Sequence, residues 1–235
     1  MGVGYNPKVV RNGLVLFLDA ANRKSFANTG TTWTDMSGSN NNGIIYNAPT
    51  YNSSGFITFN GSSQQVGFAN TSSLRFEGTL PYTLSVWCNI TADPGPSSWA
   101  RIMDRDNDPG TGRSGYNFYV NQTGGTNLQI FSERQCPAGG GGSVGITVPT
   151  STFLNTWNNF VITYDSTNLI MYRNGVIVSG PAALSGSIVN ASATYSLFLY
   201  GSNRGHIAAN MVYNRALSAA EVSQNFNAMR GRFNI

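Results

Sequence analysis

The stretch "YTLSVWCNI" at residues 82–90 decides the fold class. Leu84, Val86 and Cys88 fall on one side of an extended chain, and Ser85 and Trp87 on the other. Side chains of a strand alternate between two faces, so this period of two predicts a β-strand with at least one face against a core. "NNFVITYD" at 158–165 repeats the pattern, with Phe160, Ile162 and Tyr164 sharing a face. "YRNGVIV" at 172–178 supplies the turn that such strands need. Asn-Gly favours the left-handed angles of a type I′ turn, whose twist matches its flanking strands, so Asn174-Gly175 predicts a tight hairpin. Further apolar runs at 14–18, 43–46, 56–59, 65–68, 116–121, 128–131, 195–200 and 206–213 are separated by Gly, Asn, Ser and Pro clusters. Many short strands at regular spacing predict an all-β sandwich or barrel. One helix interrupts this reading, in "LSAAEVSQNFNAM" at 217–229. Ser218 and Glu221 have the spacing of a capping box, and Leu217, Val222, Phe226 and Met229 form one apolar stripe for packing on the sandwich.

Composition narrows the function classes. Of the 235 residues, 40% are hydrophobic, enough for one large β-domain, and only 10% are charged. Soluble domains usually carry about 25% charged residues, and here Asn, Ser, Thr and Gly take their place. The net charge of +4 is dispersed apart from Arg230 and Arg232, which speaks against nucleic-acid binding. Cys88 and Cys136 show no CxxC spacing, and whether they pair is left open by the sequence. His206 is the only histidine, too few ligands for a structural zinc site and a poor prospect as a catalytic base. The opening "MGVGYNPKVVRNG" has Pro7 and Lys8 where a secretory signal needs an apolar stretch, and Asn6 where myristoylation needs Ser or Thr. The expectation is synthesis without an export signal, and no membrane insertion.

Three of the ten acidic residues fall within "DRDNDPG" at 104–110. Asp104, Asp106 and Asp108 alternate as in a calcium loop, but Pro109 stands where an EF-hand needs glycine, and residue 115 is Gly115 where it needs glutamate. A looser calcium site on these three aspartates remains the metal candidate, against the reading of a plain turn. "CPAGGGGSVG" at 136–145 lacks the Lys-Ser/Thr of a phosphate-binding loop and reads as a mobile hairpin or lid loop. Glu77 and Glu133 are the only glutamates outside the final helix, and neither sits in the spacing of a jelly-roll glucanase, so no catalytic carboxylate pair is expected. A sugar stacks its apolar face on an aromatic ring while amides and carboxylates bind its hydroxyls. Trp33, Trp99, Tyr116 and Tyr119 are the accessible aromatics on this reading, and Trp87 and Trp157 are core. The ligand-binding candidates are Trp99, Asn107, Tyr116 and Tyr119.

"GLVLFLDAANRKSF", "TTWTDMSG", "NNGIIYNAPTY", "FITFNGSSQQV", "TLSVWCNI", "TWNNFVITYD", "MYRNGVIV" and "LYGSNRGHIAANMVYNRALSAAEV" occur in this order. As a set they resemble the concanavalin A-like lectin/glucanase superfamily, and more closely the laminin G-like (pentraxin-related) domains of tailed-bacteriophage structural proteins. The resemblance implies a jelly-roll sandwich of two antiparallel sheets with a short C-terminal helix. It implies an N-terminal arm at 1–13 and a single domain at 14–235. It also implies glycan or protein binding, often with calcium. Relatives often carry Asp-Gly and a second Asp where this chain has Asn60-Gly61 and Gln64-Gln65, which removes the acids of a family-type calcium site there. The expected role is a non-enzymatic virion surface protein, a capsid decoration or accessory subunit assembled in the host cytoplasm. The alternatives are a tail-fibre or baseplate adhesin and, third, a glycan hydrolase. Expected partners are other virion proteins of capsid or tail, further copies of the chain, and host or environmental polysaccharide.

Overall fold

The computed structural model describes residues 7–95, 99–107, 113–122, 125–189, 196–198 and 204–235. In chain order the strands are β1 (Leu14–Asp19), β2 (Thr32–Trp33), β3 (Gly43–Tyr46), β4 (Thr50–Asn52), β5 (Phe56–Phe59), β6 (Gln65–Phe68), β7 (Tyr82–Ile90), β8 (Trp99–Asn107), β9 (Ser114–Asn121), β10 (Asn127–Gln135) and β11 (Gly142–Pro149). A one-turn helix α1 (Thr150–Phe153) precedes β12 (Trp157–Tyr164), β13 (Asn168–Arg173), β14 (Val176–Ala183), β15 (Ser196–Phe198) and β16 (Gly205–Tyr213), and α2 (Ala219–Met229) follows. They form two antiparallel eight-stranded sheets, the jelly-roll sandwich expected. The first sheet runs β14-β13-β12-β7-β16-β5-β4, with β1 also on β16; the second runs β11-β10-β9-β8-β15-β6-β3-β2. Strands β5 and β1 divide β16 between them: β5 pairs with Gly205, His206 and Ile207, and β1 with residues from Ala209 to Tyr213.

The alternation read from 82–90 places two different cores. Leu84, Val86 and Cys88 point between the sheets with Phe160, Ile162 and Tyr164. They meet Ile102, Phe118, Val120 and Ile130 of the second sheet, and the Phe118 and Phe160 rings lie 5.2 Å apart. Trp87 points the other way, to the outer face of the first sheet, with Val161, Tyr172 and Met211. Helix α2 covers that face with Val222 and Met229. Its start is closed as expected: Ser218 Oγ accepts from the Glu221 N–H at 3.3 Å, and a Glu221 carboxylate oxygen accepts from the Ser218 N–H at 2.9 Å. The β13–β14 hairpin turns on Asn174 (φ 52°) and Gly175 (φ 81°). A Cβ on Gly175 would also come within 3.1 Å of the Phe226 ring of α2, so both backbone angle and packing call for glycine.

The described part of the N-terminal arm is docked on this same face. The Val10 N–H donates to Asn225 Oδ1 at 2.8 Å, Tyr213 Oη donates to the Val10 carbonyl at 3.1 Å, and Val10 joins the α2 core cluster. Cys88 and Cys136 are both free thiols. Among the described residues no helix is long and apolar enough to cross a membrane.

Candidate functional site

The second sheet carries its chemistry on the outer face of β8–β11. Strand β8 was not legible as a strand, because "WARIMDRDN" lacks a regular alternation and is rich in turn-forming residues. The cause is a bulge between Arg101, which pairs with Tyr119, and Met103, which pairs with Phe118. Ile102 and Met103 therefore both point into the core. A bulge shifts every later side chain to the other face. Arg101, Asp104 and Asp106 thus share the outer face, while Arg105 turns inward to donate to Asn70 Oδ1 at 2.9 Å and the Arg75 carbonyl at 3.2 Å. The aspartates 104 and 106 lie on a strand rather than in the expected loop, because β9 and β15 pair with β8 from both sides.

On the outer face Arg101 Nη1 donates to Asp104 Oδ2 at 2.6 Å, and Arg113 forms an ion pair with Asp106. Arg113 also donates to Tyr119 Oη at 3.2 Å, and the Arg101 guanidinium lies 5.7 Å from the Tyr119 ring centre. Burial pushes the Asp104 carboxyl up to about 6, with Arg101 pulling it back. Burial raises Asp106 as well, against the opposing charge of Arg113. Burial followed by the Asp104 charge pushes Tyr119 up to about 12.

Beside this pair of ion pairs lies a groove of about 360 Å³, lined by Trp99, Gln129, Phe131, Glu133, Ser143 and Thr147. Trp99 is 54% exposed and stands edge-on to Tyr119 and Phe131, at ring distances of 6.0 and 5.5 Å. Phe131 faces Gly145 of β11 across the ladder. A Cβ at Gly145 would lie 2.6 Å from the Phe131 Cβ, so glycine leaves room for the ring. Glu133 Oε2 accepts from Gln135 Nε2 at 2.7 Å and from Asn117 Nδ2 at 3.4 Å.

Several sequence expectations change here. Tyr116 was read as accessible, but it alternates inward: it is fully buried, donates to the Leu74 carbonyl at 2.8 Å and packs on Phe76 and Tyr82. Trp33 is likewise buried. Trp99 and Tyr119 do share the outer face, with Tyr119 almost covered. The Asn107 side chain and Asp108 lie outside the described residues. Asp104 and Asp106, two of the three calcium candidates, are each paired with a guanidinium. Among the described residues no cluster of three or more acidic, His or Cys side chains is arranged to hold a metal ion. The glycine-rich run read as a lid loop is a turn only up to residue 141, and Gly142 begins β11. His206 sits on the other sheet, 2.9 Å from Thr58 Oγ1 and against Phe56. The structure also brings together carboxylates that lie far apart in sequence: Asp104 and Glu133 both pair with Asn117 of β9, and Asp106 shares their face. Sequence reasoning missed Phe131, Glu133 and Gly145. The alternation of "NLQIFSERQ" sets Phe131 and Glu133 opposite Leu128 and Ile130, and that was the available signal.

An acidic titration follows from Asp104. Its folded carboxyl holds a proton more tightly than the unfolded one, so its stabilising contribution is full below about 3.8 and is lost as pH rises through about 6. Glu221 acts in the opposite sense, losing its contribution as pH falls below 4.5, because Arg215 holds its carboxyl down to about 2. Between about pH 7 and pH 5 the wild type should therefore gain more melting temperature than Asp104→Asn. Equal gains in calorimetry would remove Asp104 as the source.

A family model of the concanavalin A-like lectin/glucanase superfamily, Laminin_G_3, matches residues 60–223. The chain belongs to this family. A search of curated protein sequences gives no match. Solved structures similar to this Laminin_G_3 chain include the binding domain of Paraclostridial Mosquitocidal Protein 1, at 16% identity and a TM-score of 0.70, covering 93% of this chain and 52% of that one. The botulinum neurotoxin serotype G binding domain is similar at 15% identity and a TM-score of 0.69, over 91% of this chain and 50% of that one. The serotype D ligand binding domain, solved in complex with N-acetylneuraminic acid, is similar at 13% and 0.66, over 94% and 52%. The Laminin_G_3 chain thus spans about half the length of these structures, and at such identities the likeness shows the fold.

Proposed function

We propose that the chain is a non-enzymatic glycan-binding module whose ligand lies on the outer face of β8–β11. The observation that carries this reading is Trp99, an exposed ring standing beside Phe131, Glu133 and the hydroxyls of Ser143 and Thr147. Aromatic surface with a few placed polar groups is the usual chemistry of a small-ligand groove. The lectin-type family and the binding domains among its structural neighbours support it. A glycan array on the purified chain should give hits. Each hit should shield Trp99 from acrylamide quenching: Trp33 and Trp87 are buried already, and the half-buried Trp157 lies on the first sheet, away from the groove, so its quenching should not change. An array without hits, or hits that leave quenching unchanged, would sink this placement.

Hydrolysis is the second reading, favoured by the three carboxylates on one face. Against it, Asp104 is 7% exposed and bonded to Arg101, and Asp106 is held by Arg113, so neither acid is free to reach a glycosidic bond. New reducing ends from a bound polysaccharide would overturn the binding-only view.

For its setting, we propose the surface of a tailed-bacteriophage virion, as capsid decoration or as a tail adhesin. The resemblance of the ordered sequence motifs to such proteins supports this. The edge strand β14, which exposes Val176, Ile177 and Val178, supports contact with further copies. Cryo-EM of purified particles would show the chain and its copy arrangement on the surface. Particles lacking it would remove the proposal.

A further inference from the structure

We propose that the groove beside Trp99 takes neutral or cationic sugars and rejects acidic ones, and that Glu133 sets this preference. The inference rests on the glycan-binding reading and adds the charge of the ligand. Glu133 lines the groove, and the partners of its carboxylate are the amides of Gln135 and Asn117, which orient it without neutralising it. Among the described residues no arginine or lysine forms an ion pair with it.

The two guanidiniums of this face among the described residues are both already engaged. Arg101 is engaged by Asp104, and Arg113 by Asp106 and Tyr119. Arg134, the neighbour of Glu133 in sequence, points the opposite way on its strand and is fully buried. It donates to the carbonyl oxygens of Gly78 and Gly186 and lies 4.3 Å from the Tyr164 ring centre. Among the described residues the face therefore carries Asp104, Asp106 and Glu133 against Arg101 and Arg113, with the surplus negative charge at the groove. The other polar side chains there, Gln129, Ser143 and Thr147, are neutral.

A carboxylate-bearing sugar set against Trp99 would meet Glu133, and Arg113, a cation that lines the adjoining pocket with Glu133, is already paired with Asp106. Like charges brought together repel strongly where water is partly excluded. A hydroxyl or a protonated amine would instead donate to the carboxylate, and a charge-assisted bond is the stronger kind. This groove thus differs in expected ligand charge from the neighbour solved with N-acetylneuraminic acid.

The test is calorimetry on the full chain with oligomers of N-acetylglucosamine, glucosamine and glucuronic acid. The glucuronic oligomer should bind at least about tenfold more weakly than the other two. Glu133→Gln should shrink that ratio, and so should added salt acting on the wild type, which needs no folded variant. Glucuronic binding equal to or tighter than the others overturns the proposal, as does a ratio that neither Glu133→Gln nor salt moves. Binding of none of the three, together with an empty glycan array, overturns the glycan reading itself.

Discussion

Trp87→Ala should destabilise the fold by about 3–5 kcal/mol, the usual cost of truncating a large buried aromatic. Trp87 is fully buried on the outer face of the first sheet. Its ring stacks on Phe233 at 4.3 Å and on Phe226 at 5.6 Å, with interplanar angles of 16° and 6°. It is the point where sheet, helix α2 and C-terminal tail meet. The alanine variant would leave a cavity that none of the three can fill without moving. The main core between the sheets keeps its own contacts, so the variant should still fold. In a domain of this size about 4 kcal/mol corresponds to a fall in melting temperature of roughly 8–16 °C. A loss below about 1 kcal/mol in urea unfolding would show that the tail and α2 contribute little to the folded state. Glycan binding by the surviving folded fraction should be unchanged, because the groove belongs to the other sheet.

Trp99→Ala should do the reverse. Trp99 is 54% exposed, and its edge-on contacts with Tyr119 and Phe131 fix its orientation more than they secure the fold. Surface truncations away from the core usually change stability by less than about 0.5 kcal/mol, so the melting temperature should hold. Removing the aromatic anchor of a binding site commonly costs about 2 kcal/mol, or roughly thirtyfold in Kd. Trp99→Phe should keep part of the affinity, because a smaller ring still offers an apolar face. An alanine variant that binds as well as the wild type would move the ligand off this groove.

The two tryptophans show how much of the molecule could be read in advance. For Trp87 the alternation of 82–90 was sufficient, since Leu84, Val86 and Cys88 claimed the inner core and left Trp87 on the opposite face. Trp99 was picked out as an accessible aromatic, but the groove it borders was not. Tyr116 reads with it as an accessible aromatic, yet position along β9 sends Tyr116 inward and Tyr119 outward. Glu133 lacks a local motif, and its place in the groove comes from the strands beside it.

By itself the sequence determined the features that depend on a few consecutive residues. These are the strand faces at 82–90 and 158–164, the Asn174-Gly175 turn, and the Ser218–Glu221 cap. Alternation, backbone angle and helix capping are local, and their residues carry them wherever the segment ends up. Tertiary structure alone decided the site. The bulge in β8 turned Asp104 and Asp106 outward, and the ladder β8-β9-β10-β11 brought Trp99, Phe131, Glu133 and Gly145 onto one surface. Register between strands is set by the packing of whole sheets. No short stretch of this chain contains the information that an aspartate at 104 and a glutamate at 133 share a neighbour at 117.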